Sequence, residues 1–423
     1  MKFNIKKFFG ICLFFTCVFP YISIIKTPFD TQPYALLFSF VLLLFLIVIK
    51  RDLKIPKMLI PFFFIICYAL IVALMFSDFN NALRPMIGYI SVFVIALASF
   101  YTFDYIKGTY FIFSVMMWFV FGVIQLLFDK NFGSFFLSRL STSEGRGVTS
   151  LAVEPSMYAF TCIFFLMLND IFYAKQEYSK KAYQLLFALI LIQILFAKSA
   201  VGMIALVVYF FAKFVSSGTI QRALKSLIGL LSVILIILFV FSTVPRLQQS
   251  RMGTLLQAIE YNPMSVIYTD ESVADRLGHV LVSHLSLFYN HGIGYGLGTW
   301  NENANTVISN SNQFVKNVTM VAFSLDRIMS GWGSVIFELG IMGVVFMVAF
   351  IVIMIKGKRK VNYKLKIIYI SSLITIYFVM LMAVPISYPL FGYLIGVFVN
   401  LQYEKKYYKN IKKQFKVKIK EIS

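Results

Sequence analysis

The sequence predicts an all-α polytopic membrane protein of about twelve transmembrane helices, with a large outer loop of amphipathic helices. Three observations predict it. Of 423 residues, 60% are hydrophobic and 13% charged, with a mean hydropathy of +0.82. A soluble chain of this length has no core large enough to hide so much apolar surface. The apolar residues come in continuous runs of about 17–22, long enough to cross the hydrocarbon layer as helices. They do not alternate as the strands of a membrane barrel do. Finally, 28 of the 39 Lys and Arg residues fall in alternate connecting segments, which marks that side as cytoplasmic.

Each element follows in order. The run 8–25 succeeds the basic start "MKFNIKK" and has no small-residue cleavage site, so an uncleaved first span is expected. Further spans are expected at 33–49, 57–76, 85–103 and 109–128. Segment 129–155 is the first outer functional loop. Spans at 156–173, 182–197, 200–215 and 226–245 come next, the middle pair parted only by "KSA". A loop at 246–332 separates the ninth span from the tenth and is far longer than a connector requires. Its stretch "DESVADRLGHVLVSHLSLFYNHGIGYGLGTW" has helical apolar spacing followed by a glycine-rich turn. One or two amphipathic helices are therefore expected on the outer leaflet, capping a cavity. Spans at 333–355, 367–384 and 387–402 complete the array. A basic tail, 403–423, returns to the cytoplasm against anionic headgroups. Both termini are thus expected in the cytoplasm, with 1–423 a single integral membrane domain.

The net charge of +21 is mainly a consequence of this sidedness and gives no reason to expect a nucleic acid partner. On the cytoplasmic side, 25 of the 28 cations are Lys. On the outer side, 7 of 11 are Arg: Arg84, Arg139, Arg146, Arg246, Arg251, Arg276 and Arg327. Arginine grips phosphate and carboxylate through paired N–H groups. An anionic ligand at the outer surface is one reading; pairing with outer acids such as Asp270, Glu271 and Asp275 is the other. Cys12, Cys17, Cys67 and Cys162 all lie in apolar runs and read as small buried hydrophobes.

Four segments, in this order, carry a family resemblance: "RGVTSLAVEPSMYA" before the sixth span, "KSAVGMIAL" at the seventh–eighth turn, "DRLGHV…NHGIGYGLG" in the large loop, and "GWGSVIFELGIMG" opening the tenth span. Together they resemble the Wzy-type O-antigen polymerases of the O-antigen ligase/polymerase superfamily. The resemblance implies a GT-C-like membrane glycosyltransferase of the bacterial inner membrane, its large loop periplasmic. Such an enzyme joins glycan repeats carried on undecaprenyl pyrophosphate, and this lipid-linked glycan is both donor and acceptor. Membrane lipids and a chain-length regulator protein are the further partners implied. No nucleotide sugar, metal or other cofactor is expected. Ligase-type relatives place a histidine–asparagine pair about nine residues before the glutamate of "ELG"; here those positions hold Met329 and Ser330. That departure favours a polymerase. A ligase moving glycan to another acceptor and a lipid-linked oligosaccharide flippase remain alternatives.

A diphosphate leaving group needs its charge stabilised. Arg146 and Arg276, each in a quoted segment, are the first candidates to hold it. Arg139 lies seven residues before Arg146, so a helical stretch there would put both on one face. Arg84 and Arg327 flank spans at the same membrane level, and Lys198 marks a tight outer turn. Glu154, just before Pro155, is either the general base for the acceptor hydroxyl or a helix-terminal carboxylate stabilised by the dipole. His279, His284 and His291 all fall in the large loop; one of them, His291 first, is a candidate base or sugar contact. Asp326 beside Arg327 reads as a structural pair. Glu338, early in a span, is either functional or bonded to a neighbouring helix.

Overall fold

A computed structural model describes residues 4–24, 31–49, 53–76, 78–141, 146–217, 251–262, 264–358 and 363–403, with Arg51, Val361 and scattered positions between 224 and 243. Most of the expected ninth span, together with Arg246, Glu144 and tail residues 404–423, lies outside them.

The described residues form helices and loops, with one isolated β-bridge, Ile22 to Leu137. The first eight helices are α1 (Ile5–Val18), α2 (Tyr34–Val48), α3 (Ile60–Phe76), α4 (Phe79–Thr102), α5 (Gly108–Leu127), α6 (Pro155–Ala174), α7 (Lys180–Ala197) and α8 (Ala200–Ser216). In the large loop stand α9 (Arg251–Tyr261), α10 (Ser265–Thr269), α11 (Glu271–Tyr289), α12 (Trp300–Asn310) and α13 (Gln313–Val321). The chain ends with α14 (Gly331–Leu339), α15 (Ile341–Lys358), α16 (Tyr363–Met382) and α17 (389–403). Among the described residues, five helices are long and apolar enough to cross a membrane and four more are apolar but shorter. The chain is a helical membrane protein.

Helix starts follow from short polar residues that accept a bond from an otherwise orphaned N–H. Asn4, Ser179, Ser199, Asp270, Asn312 and Ser330 each do so, the last from Gly333 at 2.9 Å. Two helices are buried almost all round and form the centre. In α6, Pro155 through Phe172 are buried, and in α17, residues 389–402. A helix apolar on every face must stand among other helices or in lipid; here α5, α7, α8 and α16 surround α6. The sequence "GYLIG" lets α17 press against α4. A Cβ on Gly396 would stand 2.2 Å from the Ala96 carbonyl oxygen, and one on Gly392 3.1 Å from that of Val92. Small residues four apart permit such backbone approach between membrane helices.

Three expectations are corrected. The tenth span, expected unbroken over 333–355, is split between α14 and α15 at Gly340, whose backbone (φ 58°, ψ −130°) is not helical. The fourth begins at Phe79 and carries Pro85 within its helix rather than at the start. The large loop holds five helices among its described residues instead of one or two. Its Val282, Trp300, Ala304, Val307 and Val315 also pack with Phe337 of α14 into a small separate core. The "WNENANTVISN" of α12 is too polar to read as helix from apolar spacing alone. Its helix rests on that core.

Candidate functional site

A cavity of about 680 Å³ lies where the large loop meets the membrane helices. Asn80, Asn81 and Arg84 reach it from the first turns of α4. Asp326 and Arg327 reach it from the segment leading into α14, and Glu338 from the last turn of α14. Leu36 and Leu37 of α2 form part of an apolar wall, Leu37 being more than half exposed on the outside of the protein. A polar floor beside an apolar, outward-facing wall suits an amphiphile with an anionic head.

Glu338 is fixed from two directions. The Tyr89 hydroxyl donates to its Oε2 at 2.7 Å and the Gly298 N–H to its Oε1 at 3.4 Å. Gly298 reaches it because "GIGYGLG" folds against the α14–α15 break. Tyr295 N–H donates to the Phe337 carbonyl at 2.8 Å, Gly296 N–H to that of Glu338 at 3.3 Å, and Ile341 N–H to that of Gly292 at 2.8 Å. Gly292, Gly294, Gly296 and Gly298 all have positive φ, between 74° and 99°, which side chains disfavour. Pro85, lacking an N–H, cannot bond the Asn81 carbonyl four residues back. Gly298 lies against that carbonyl, where a Cβ would stand 2.2 Å from its oxygen.

Helix α11 holds the segment bearing Asp326 and Arg327 at both ends. Asp275 Oδ1 accepts the Ser324 N–H at 2.8 Å, and His279 Nδ1 accepts the Met329 N–H at 2.8 Å. Nε2 of the same ring lies 3.2 Å from Asp275 Oδ1. The ring is fully buried between Trp300 and Phe323, with centroids 5.1 and 5.0 Å away. Trp300 Nε1–H adds a bond to the Ser324 carbonyl at 3.1 Å. His279 is therefore a clamp, and it grips the backbone of Met329.

Burial alone would raise the Asp275 carboxyl. His279, the Ser324 N–H and Arg276 outweigh it and hold the group below its ordinary 3.8. A carboxyl depressed on folding contributes stability that is present above the ordinary value and lost as pH falls through the folded one. Protection of the Ser324 amide from hydrogen exchange, corrected for intrinsic rate, should hold through mild acid and collapse only below that range. Asp275→Asn should lower it at neutral pH. Protection that vanishes already in mild acid would refute the clamp.

The predicted site residues separate into groups. Arg84 and Arg327, ranked behind the others in the sequence, line the cavity; Arg139, Arg146, Arg276, Lys198, Glu154 and His291 are not among its lining residues. Glu154 sits at the N-cap of α6 with its Oε1 3.0 Å from Arg139 Nη2, while its neighbours Val153 and Met157 touch the cavity. Arg276 bonds Ser272 within α11 at 2.6 Å. His291 is exposed in the left-handed turn that follows α11, at φ 48°.

Arg146 and Lys198 occupy neighbouring backbone segments. Val148 N–H donates to the Phe196 carbonyl at 3.1 Å, and a Cβ on Gly147 would stand 2.2 Å from the Ala197 carbonyl carbon. So "RGV" and "KSA" meet, the first held by buried Gln125, whose Oε1 accepts the N–H groups of Thr149 and Ser150 at 3.0 and 2.6 Å. Sequence reasoning missed Tyr89, Asn80 and Asn81. The polar "NNALRP" opening an apolar helix was the available signal. Compared with known proteins, the chain matches no family model and no curated protein sequence.

Proposed function

We propose that this protein is a membrane glycosyltransferase that lengthens glycans carried on undecaprenyl pyrophosphate at the outer leaflet of the bacterial inner membrane. The observation that carries the reading is the cavity. Two arginines and a buried carboxylate face it from α4, the α14 approach and α14 itself, beneath a loop that shares a small core with α14 and beside an apolar wall. The guanidinium groups of Arg84 and Arg327 hold the diphosphate, and their charge is most useful as the leaving oxygen becomes anionic. The apolar wall takes the first prenyl units, and the sugars lie under the loop. In this reading the cavity opens on the outer side, in a GT-C-like array of about twelve spans with both termini cytoplasmic; the split between Lys-rich and Arg-rich connecting segments supports it. The lipid-linked repeat is donor and acceptor in turn, and a chain-length regulator would meet the protein at this outer face.

Deletion followed by gel analysis of surface glycan tests the reading. A polymerase loss leaves single repeats in place of a ladder. Complete loss of glycan points instead to a ligase or a flippase, and an unchanged ladder removes all three.

A further inference from the structure

Glu338 is only 6% exposed, yet it lines the cavity. Its partners are a neutral hydroxyl, from Tyr89, and a neutral amide, from Gly298; among the described residues no cation pairs with it. A carboxylate accepts up to about four hydrogen bonds, so capacity remains on the cavity side. A glutamine would tie α4 to the loop equally well, because the Tyr89 hydroxyl can reverse and accept. An acid is thus not required by the packing, and an ionisable group buried this deeply is costly to keep. Glu154, the acid favoured by the sequence, is engaged by Arg139 and does not line the cavity.

We infer that Glu338 is the proton acceptor for the incoming sugar hydroxyl, with Tyr89 as the residue that positions it. The inference rests on the glycosyltransferase reading. The acceptor oxygen attacks the anomeric carbon of the donor sugar. As the new carbon–oxygen bond forms, the bond from that carbon to the diphosphate oxygen breaks, and its electron pair leaves with undecaprenyl pyrophosphate. The hydroxyl proton passes to Glu338 and then to water. Arg84 and Arg327 stay with the leaving diphosphate, and no oxidant or reductant is involved.

The test uses the full-length protein in phospholipid vesicles with an undecaprenyl-pyrophosphate-linked repeat. Wild-type extension of the repeat settles the parent reading; no extension and no binding defeats both. Glu338→Gln should bind the lipid-linked repeat as wild type does and lose roughly 100-fold or more in transfer rate, the scale of general base catalysis. The wild-type rate should rise with pH along one ionisation, and the residual rate of the variant should lack that limb. Tyr89→Phe should fold, keep the limb at a displaced pH and lose about tenfold in rate. Glu338→Gln extending the repeat within about threefold of wild type, or losing binding in proportion to rate, overturns the inference while leaving the parent reading intact. Should Glu338→Gln not fold, an unshifted limb in Tyr89→Phe overturns it equally.

Discussion

Arg327→Ala is expected to abolish glycan lengthening at unchanged protein level, with a fall in transfer rate of about 100- to 1000-fold, the usual cost of removing one donor to developing negative charge. Arg84→Ala should behave alike, and the double variant should also lose binding of the lipid-linked repeat. Arg327→Lys should restore only part of the rate, since a single ammonium cannot reproduce the paired N–H groups of a guanidinium. The expectation follows from position. Both arginines line the cavity that Glu338 faces, and the segment carrying Arg327 is clamped by Asp275 and His279 on either side. Arg146→Ala and Arg276→Ala are the controls, because neither side chain lines that cavity. A ladder that survives Arg327→Ala and Arg84→Ala but disappears with Arg146→Ala would move the anion site to the turn shared with Lys198.

Gly340→Ala is expected to be severely destabilising for a single added methyl group. The backbone at Gly340 (φ 58°, ψ −130°) is one that side chains avoid. An added Cβ would stand 2.1 Å from the Gly292 oxygen and 2.5 Å from the Gly294 nitrogen. Neither neighbour is a flexible side chain, so the backbone itself must move. Strain and lost hydrogen bonds together put the cost at about 3 kcal/mol or more. Gly292→Ala is the matched comparison. Its φ of 80° is also positive, but a Cβ there meets only Ile341, at 4.0 Å. Its cost should be conformational strain alone, about 1–2 kcal/mol. Thermal unfolding of the two variants in detergent gives the comparison. Equal stabilities would mean that the glycine turn and the helix break do not interlock.

The helices were legible because a bilayer writes its demand directly into composition: a span must be apolar along its whole length. That is why the α5, α6, α7 and α16 positions could be read from apolar runs alone. The break at Gly340 was not legible. Glycine is ordinary in membrane helices, and the cause of this break is the distant "GIGYGLG" that bonds across it. The cavity was half legible. Arginine in outer loops pointed to an anion, but which arginines meet depends on bringing residues 84, 327 and 338 together. Arg84 and Arg327, away from the longer quoted segments, therefore looked weaker than Arg146 and Arg276. His279 looked like chemistry because histidine often is; Asp275 stands one turn before it on α11, but Trp300 and Phe323, which enclose the ring, come from two distant pieces of chain. The close packing of α17 on α4 was available in "GYLIG" and went unread.

The glycine-rich turn in the middle of the large loop is hydrogen-bonded to the α14–α15 break by Tyr295, Gly296 and Ile341, and its Gly298 packs against α4. A roof seamed in this way cannot swing upward like a hatch without unpicking those bonds. On the proposed function, a long, greasy-tailed molecule is threaded in along the flank beside Leu37, and a growing sugar chain slides out past the eaves of a roof that stays shut.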